Sequence, residues 1–324
     1  MSDLVTIVVP VYNRAALLQR AVASALAQTY RPIEILVVDD GSTDHTPAVI
    51  AALEAEHSEV RGIRQPNGGP GAARECGRRA ARGAFVQYLD SDDVLLPRKL
   101  ALQMEALAAA PAAVAAYGRT RYRGPAGEEI RCSWKPLLDG ETSILPHFLR
   151  GRMWETVSPL YRATAVEEAG AWTPRRLEED WEYDCRVGAL GRPLVFLPDF
   201  LAEHRDDASD RLSRGAALDP ARMRDRAAAH ASIYASARRA GIGDDAPEMQ
   251  QFARELFLLA RQCGAAGLPD EAKQLFLLAR EASGTRGGAS QFRLYAAIAR
   301  LAGWSFAGRA AAVVDYLRAV RMRR

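Results

Sequence analysis

Lysine is almost missing from this chain: Lys99, Lys135 and Lys273 are the only ones among 43 basic residues. The basic complement is arginine, balanced by 40 acidic residues to a formal net charge of +3, which leaves no overall electrostatic footprint for nucleic acid. Cysteine is scarce too. Cys76, Cys132, Cys185 and Cys263 lie far apart with no paired spacing, which excludes a disulfide framework and a zinc knuckle and leads us to expect a reducing, cytoplasmic setting. Nowhere do about 18 apolar residues follow one another, so no membrane-spanning helix is expected. Met1 to Val9 lacks the basic start and long apolar stretch of a secretion signal. What remains is the profile of a folded protein acting in solution or at the inner face of a membrane: 324 residues, 48% hydrophobic and 26% charged, enough for two domains or one large domain with an appendage.

The first hundred residues alternate between two periodicities. Residues 5–9 form a short, continuous, β-branched run that stops at Pro10, as a strand buried on both faces would. Asn13 is the expected N-cap of a helix carrying Leu17, Leu18, Val22 and Leu26, broken by residues 29–32. Residues 33–38 are a second strand, ending in Asp39-Asp40-Gly41, and 47–57 a second helix. A glycine-rich loop, 67–71, a helix over 72–82 and a strand over 84–89 follow, and that strand runs straight into Asp90-Ser91-Asp92-Asp93. This alternation predicts an α/β fold on a mostly parallel sheet flanked by helices, with three polar clusters meeting beyond the carboxyl ends of the strands. Further on, 100–110 reads as a helix, 117–134 as an irregular hairpin region, 162–169 and 179–190 as helices, and 194–197 as a strand before Pro198. Beyond Arg214 the sequence is rich in Ala, Leu and Arg, and predicts three or four packed helices without strands; 252–279 resembles a single tetratricopeptide-type hairpin. The expected domains are 1–215 and an all-helical 216–324.

Taken alone, Asp39 to Asp44 is equally well a helix-capping turn. Asp90-Ser91-Asp92 says more. Two carboxylates one residue apart at a strand end need a counter-charge, which a divalent cation bridging to a diphosphate supplies. Oxygen ligands favour Mn2+ or Mg2+ over zinc; the competing reading is a polar turn before Pro97.

Four segments, Val8 to Arg14, Val37 to Asp44, Asn67 to Arg74 and Tyr88 to Asp93, occur in an order and spacing that resembles the family 2 glycosyltransferases, inverting enzymes of the A-type (GT-A) nucleotide-diphospho-sugar transferase fold. The resemblance covers roughly residues 1–210. It implies a nucleotide-diphospho-sugar donor, most often a UDP-sugar, a saccharide or lipid-linked saccharide acceptor, and a role in bacterial surface or secreted polysaccharide synthesis. It implies that Pro10, Tyr12 and Asn13 line the nucleoside pocket and that Asp40 accepts a hydrogen bond from the base. Arg14 and Arg74 would meet the diphosphate, for which guanidinium donors are suited; the plain alternative for Arg74 is a solvated helix residue. Asp90 and Ser91 would lie on the nucleotide-sugar side, and Asp92 would be the direct metal ligand. Asp180, in Leu177 to Glu182, matches the position of the family's catalytic base, which takes a proton from the attacking hydroxyl. Asp184, on the same helix face, and Glu179 are its rivals. His204 sits where the family often places a histidine that touches the diphosphate or the metal, although Asp206, Asp207 and Asp210 make the following loop more acidic than the pattern suggests.

Trp134, Trp154 and Tyr161 are candidates for stacking on an acceptor sugar, with the core as the stronger reading for each, and Trp181, beside Asp180, is the better stacking candidate. Residues 291–324 hold seven arginines against one aspartate. This suits a peripheral membrane contact with anionic lipid, or, as the stronger reading, the solvated face of a bundle helix; nucleic-acid binding is not expected. A different functional class, a catalytically silent nucleotide-sugar-binding scaffold, would bind donor without turnover. A nucleotidyltransferase is disfavoured because residues 10–14 read Pro-Val-Tyr-Asn-Arg, where a glycine-rich loop with lysine is wanted.

Overall fold

The computed structural model describes residues 3–124, 127–130, 140–205, 216, 218–285 and 290–322, with side chains as far as residue 314. Cys132, Trp134 and the 206–213 loop named above lie outside the described residues. The chain divides into two compact units, one of Met1–Ile144 with Gly151–Arg211, the other of Leu145–Arg150 with Leu212–Arg324.

In the first unit, β1 (Val5–Val11), β2 (Ile33–Asp39), β3 (Val60–Arg64) and β4 (Phe85–Tyr88) run parallel, joined by α1 (Ala15–Leu26), α2 (Thr46–Glu56) and α3 (Pro70–Ala80). Every residue of β1 and β2 is buried, which explains why their sequences are apolar without alternation. β1 does not end at Pro10 as expected; it continues to Val11, with Pro10 opposite Val38. The reason is positional. Leu89 N donates to Val8 O and Asp40 N to Val11 O, so Pro10, two residues from Val8, would have turned its missing amide towards β4, whose pairing with β1 stops at Tyr88. Asn13 likewise does not cap α1. Arg14 holds the cap position without a side-chain bond, and Asn13, at φ 51°, turns its amide oxygen elsewhere.

The sheet has eight strands in the order β3-β2-β1-β4-β7-β6-β8-β5, with β5 (Val94–Leu95), β6 (Ala115–Arg123), β7 (Leu160–Arg162) and β8 (Leu194–Arg205). β7 runs antiparallel to both β4 and β6, so the sheet is parallel on one side of β4 and mixed on the other. α4 (Lys99–Ala109), α5 (Ala163–Ala169) and α6 (Glu179–Gly188) complete the unit. Gly71 admits a close crossing: a Cβ there would stand 2.0 Å from the Thr173 carbonyl oxygen, so only glycine lets the start of α3 pass under that segment.

The second unit has five helices among the described residues, one more than the upper expectation: α7 (Pro220–Arg239), α8 (Pro247–Ala265), α9 (Pro269–Ala282), α10 (Ser290–Ala302) and α11 (Trp304–Met322). Its interior centres on Phe276. Phe257, Phe292, Tyr295 and Trp304 surround that ring with centroids 5.2 to 6.0 Å away.

Candidate active site

The polar strand ends of the α/β unit meet on one rim, where they are stitched together by their own side chains. Asn13 Oδ1 accepts from Thr43 N at 2.8 Å, Ser42 Oγ accepts from Asn13 N at 2.9 Å, and Thr46 Oγ1 accepts from Arg14 N at 3.1 Å. The loop after β1 is thereby fixed to the loop after β2. Tyr12, 44% exposed, stands clear of this lacing with its ring free to stack, whereas Pro10 is buried in β1 and lines no open surface. Asp40 is buried and already engaged: its Oδ1 accepts from Gln65 Nε2 and Gly68 N, and its Oδ2 from Gly69 N, all at 2.8 Å. Any contact with a base must share that carboxylate with the glycine-rich loop.

Beyond β4 the carboxylates are met by arginines from three other elements. Arg14 Nη1 lies 2.8 Å from Asp92 Oδ2, and Arg20 Nη2 donates to the Asp92 carbonyl at 3.3 Å. Ser91 is buried between the two carboxylates in sequence. Arg74 is not a solvated helix arginine. It is 5% exposed, lies over the Trp172 ring, and gives Nη2 to Asp90 at 2.6 Å and Nη1 to Glu179 at 2.7 Å. With both terminal nitrogens taken, Arg74 braces the end of β4 against the start of α6. Asp93, fully buried, binds His204 Nδ1 at 2.9 Å. Burial pushes the Asp93 carboxyl up to about 6, with Asp92 and Asp90 adding to the rise and His204 opposing it.

The three acidic candidates at the start of α6 differ in exposure. Asp184 is 1% exposed and saturated, accepting from Trp154 Nε1 at 2.9 Å, Tyr161 OH at 2.5 Å and Arg152 Nε at 2.8 Å. Glu179 is 7% exposed and held by Arg74; burial pushes its carboxyl up to about 7, with Asp180 adding to the rise and Arg74 working against it. Asp180 is 28% exposed and bonded through Oδ2 to Arg152 Nη1 at 2.6 Å. Asp180 and Asp184 share a helix face, as their spacing predicts, and Arg152 clasps both. Glu178, just before them, adopts φ 59°. It and Asn13 are the two non-glycine residues at positive φ among those described, and both border this rim.

Arg152 was not foreseen. No motif surrounds it, and nothing in its sequence neighbourhood announces a partner 28 and 32 residues away. Trp154 and Tyr161, 4% and 2% exposed, are core residues holding Asp184, in keeping with the stronger of the two readings their sequence offers; Trp181 is half-buried.

Among the described residues no three His, Cys, Asp or Glu side chains converge as a ready metal cage. A cation arriving with a diphosphate needs only one or two protein carboxylates, and Asp92 with Asp90 at one strand end supplies the hard oxygens that Mg2+ or Mn2+ prefer. His204, anchored through one ring nitrogen on the Asp93 carboxylate, has the carboxylate–histidine pairing typical of an oriented metal ligand. The donor set fits such an ion.

Residues 6–164 match Glycosyl transferase family 2. The chain carries a family 2 glycosyltransferase domain. The succinoglycan biosynthesis protein ExoO of Rhizobium meliloti (strain 1021) is 44% identical over 111 residues, 34% of this chain and 32% of ExoO. The glycosyltransferase GlyG of Streptococcus pneumoniae serotype 4 is 41% identical over 96 residues, 29% of this chain and 32% of its own. The chain thus matches about a third of the length of these curated relatives. Among solved structures, Staphylococcus aureus TarS 1–349 in complex with UDP-GlcNAc superposes with a TM-score of 0.69 at 18% identity, covering 98% of this chain and 92% of that one. At that identity the likeness is one of fold: the GT-A type mixed α/β core followed by helices α7 to α11.

Proposed function

We propose that this glycosyltransferase domain moves a sugar from a nucleotide-diphospho-sugar, with inversion, to an acceptor hydroxyl in the building of a polysaccharide. The observation that carries the reading is the pairing at the rim. The partly exposed carboxylate of Asp180 accepts from Arg152 through Oδ2 and from Trp181 N through Oδ1, while Asp90 and Asp92, braced by Arg74 and Arg14, occupy the neighbouring strand end. Tyr12 stacks on the base, and the glycine-rich loop held by Asp40 bounds its edge. Arg14 exchanges Asp92 for the donor diphosphate, where a guanidinium meets two oxygens at once. Asp92 and His204 would hold Mn2+ or Mg2+, which supplies charge neutralisation on the departing nucleoside diphosphate. Asp180 accepts the proton of the attacking hydroxyl, and Arg152, 2.6 Å from its Oδ2, keeps that carboxylate pointed. Glu179, occupied by Arg74, keeps α6 in place and does not compete for the proton. UDP-GlcNAc in TarS and GDP-Man with Mn2+ in the mannosyltransferase PcManGT of Pyrobaculum calidifontis, a fold relative at TM-score 0.55 and 20% identity over 98% of this chain and 88% of that one, make uridine and guanosine donors the first to try.

The test is calorimetric titration with UDP, UDP-GlcNAc and GDP-mannose, each with and without manganese, followed by hydrolysis of the bound donor with water as acceptor. Asp92→Asn should weaken the manganese-dependent binding. Asp180→Asn should bind donor as before and turn it over about a hundredfold to ten-thousandfold more slowly. Undiminished turnover in Asp180→Asn would remove it as the base, and donor binding without any turnover would identify a silent binding protein instead.

A further inference from the structure

Helix α10 is apolar on two opposite faces. Phe292, Tyr295 and Ala299 point inward, the first two against Phe257 and Phe276 at 4.6 to 5.8 Å. Leu294, Ala297, Ile298 and Leu301 recur at the i, i+3, i+4, i+7 spacing of a single stripe on the far side. Of these, Leu294 is 64% and Leu301 88% exposed. The inward aromatics prevent the helix from rolling to hide that stripe. Helix α11, packed beside α10 within the same unit, repeats the arrangement: Phe306 and Val313, one heptad apart, and Val314 are exposed large apolar side chains.

The charged residues of α10 have one sign, and Asp315 is the one acidic residue of α11. Residues 290–314 contain Arg293, Arg300 and Arg309 and no aspartate or glutamate, and all three arginines are exposed. An apolar stripe on a helix whose charged residues are arginines alone is complementary to a surface that is negative at its face and apolar just beneath, and a bilayer with anionic headgroups is such a surface. No helix among the described residues is long and apolar enough to cross a membrane, so the geometry is that of lying on one.

We propose that the exposed α10–α11 face is a docking surface for anionic lipid, with Leu294, Leu301, Phe306 and Val313 entering the headgroup boundary and Arg293, Arg300 and Arg309 meeting lipid phosphates. The inference stands on the helical unit alone and does not depend on the donor or the reaction.

The full chain should co-sediment with vesicles containing phosphatidylglycerol and remain in the supernatant with phosphatidylcholine vesicles. Because an arginine near an anionic surface strengthens binding about fivefold, replacing all three by glutamine should weaken vesicle binding about a hundredfold. Leu294→Glu with Leu301→Glu should abolish it; both positions are so exposed that the helical circular dichroism and thermal midpoint should stay as in the parent, and donor titration gives an independent check of the other unit. Equal binding to both vesicle types would overturn the proposal, as would unchanged sedimentation of the Leu294→Glu, Leu301→Glu chain. A concentration-dependent dimer, measured by sedimentation velocity, that this double variant dissolves while vesicle binding is absent would also overturn it, by showing that a second copy covers the face.

Discussion

In the α/β unit Arg74, Lys99, Arg152, Glu179, Glu182 and Asp184 all lie at or near complete burial, whereas among the described residues of the helical unit no Asp, Glu, Lys or Arg is buried. There the interior is the ring cluster around Phe276, and ion pairs such as Arg238–Asp244, 2.6 Å apart, lie half exposed. A buried ion pair stabilises a fold weakly, since desolvation offsets most of the attraction, and apolar residues of equal volume do as well. A fold that retains several in one region and none in another is using them to place charge. The difference therefore separates the part of the chain whose interior is arranged to place charge from the part whose interior is arranged to pack.

The contrast can be broken most directly at Arg74. Arg74→Met strands Asp90 and Glu179 without their shared cation and should lower stability by about 3–5 kcal/mol in chemical denaturation. Adding Asp90→Asn and Glu179→Gln to the same chain should recover most of that loss, because what destabilises is the uncompensated charge. If Arg74→Met alone is neutral, the brace has no energetic content and the contrast fails. Phe276→Ala in the helical unit should cost about 3 kcal/mol through a cavity, and no charge-neutralising partner change should restore it.

A smaller effect separates the two interiors by pH. Glu179 has its carboxyl raised from 4.5 to about 7 in the folded chain, so the folded state holds that proton more tightly than the unfolded one. Its contribution to stability is complete below about 4.5 and is lost as pH rises to about 7. The denaturation midpoint of Glu179→Gln should therefore fall less steeply than that of the parent across this window, and equal slopes would show that Arg74 keeps the carboxylate ionised throughout. Smallest of all, Asp244→Ala at the exposed Arg238 pair should change stability by less than about 1 kcal/mol.

Most of the rim was legible in the sequence because strand-end carboxylates follow directly on apolar runs: Asp39-Asp40 after β2 and Asp90 to Asp93 after β4 could be placed from local pattern alone. β3 was not, since Val-Arg-Gly-Ile-Arg is an edge strand with only Val60 buried and no continuous apolar signal. β8 was read as four residues because Pro198 interrupts it; the strand continues to Arg205 past register shifts opposite Gly118, Arg119 and Thr120. The roles of Arg74 and Arg152 escaped for a common reason. Their partners on α6 lie 105 and 28 residues away, and no local periodicity encodes which arginine in an arginine-rich chain will be enclosed. Asn13 misled in the opposite way: a residue type that caps helices was used to tie two loops.

The glycine-rich loop between β3 and α3 has the composition of a phosphate cradle, with backbone amides that could wrap an anion. Gly68 N and Gly69 N already wrap one, the carboxylate of Asp40. The chain thus carries its own permanent occupant in that nest, and a diphosphate reaching this rim finds it closed and must rely on side chains that can swing. For the donor proposed above, recognition of its phosphates would thus be uncoupled from the backbone, and a shift in which anion is preferred would be reached by exchanging arginines, with the loop left untouched.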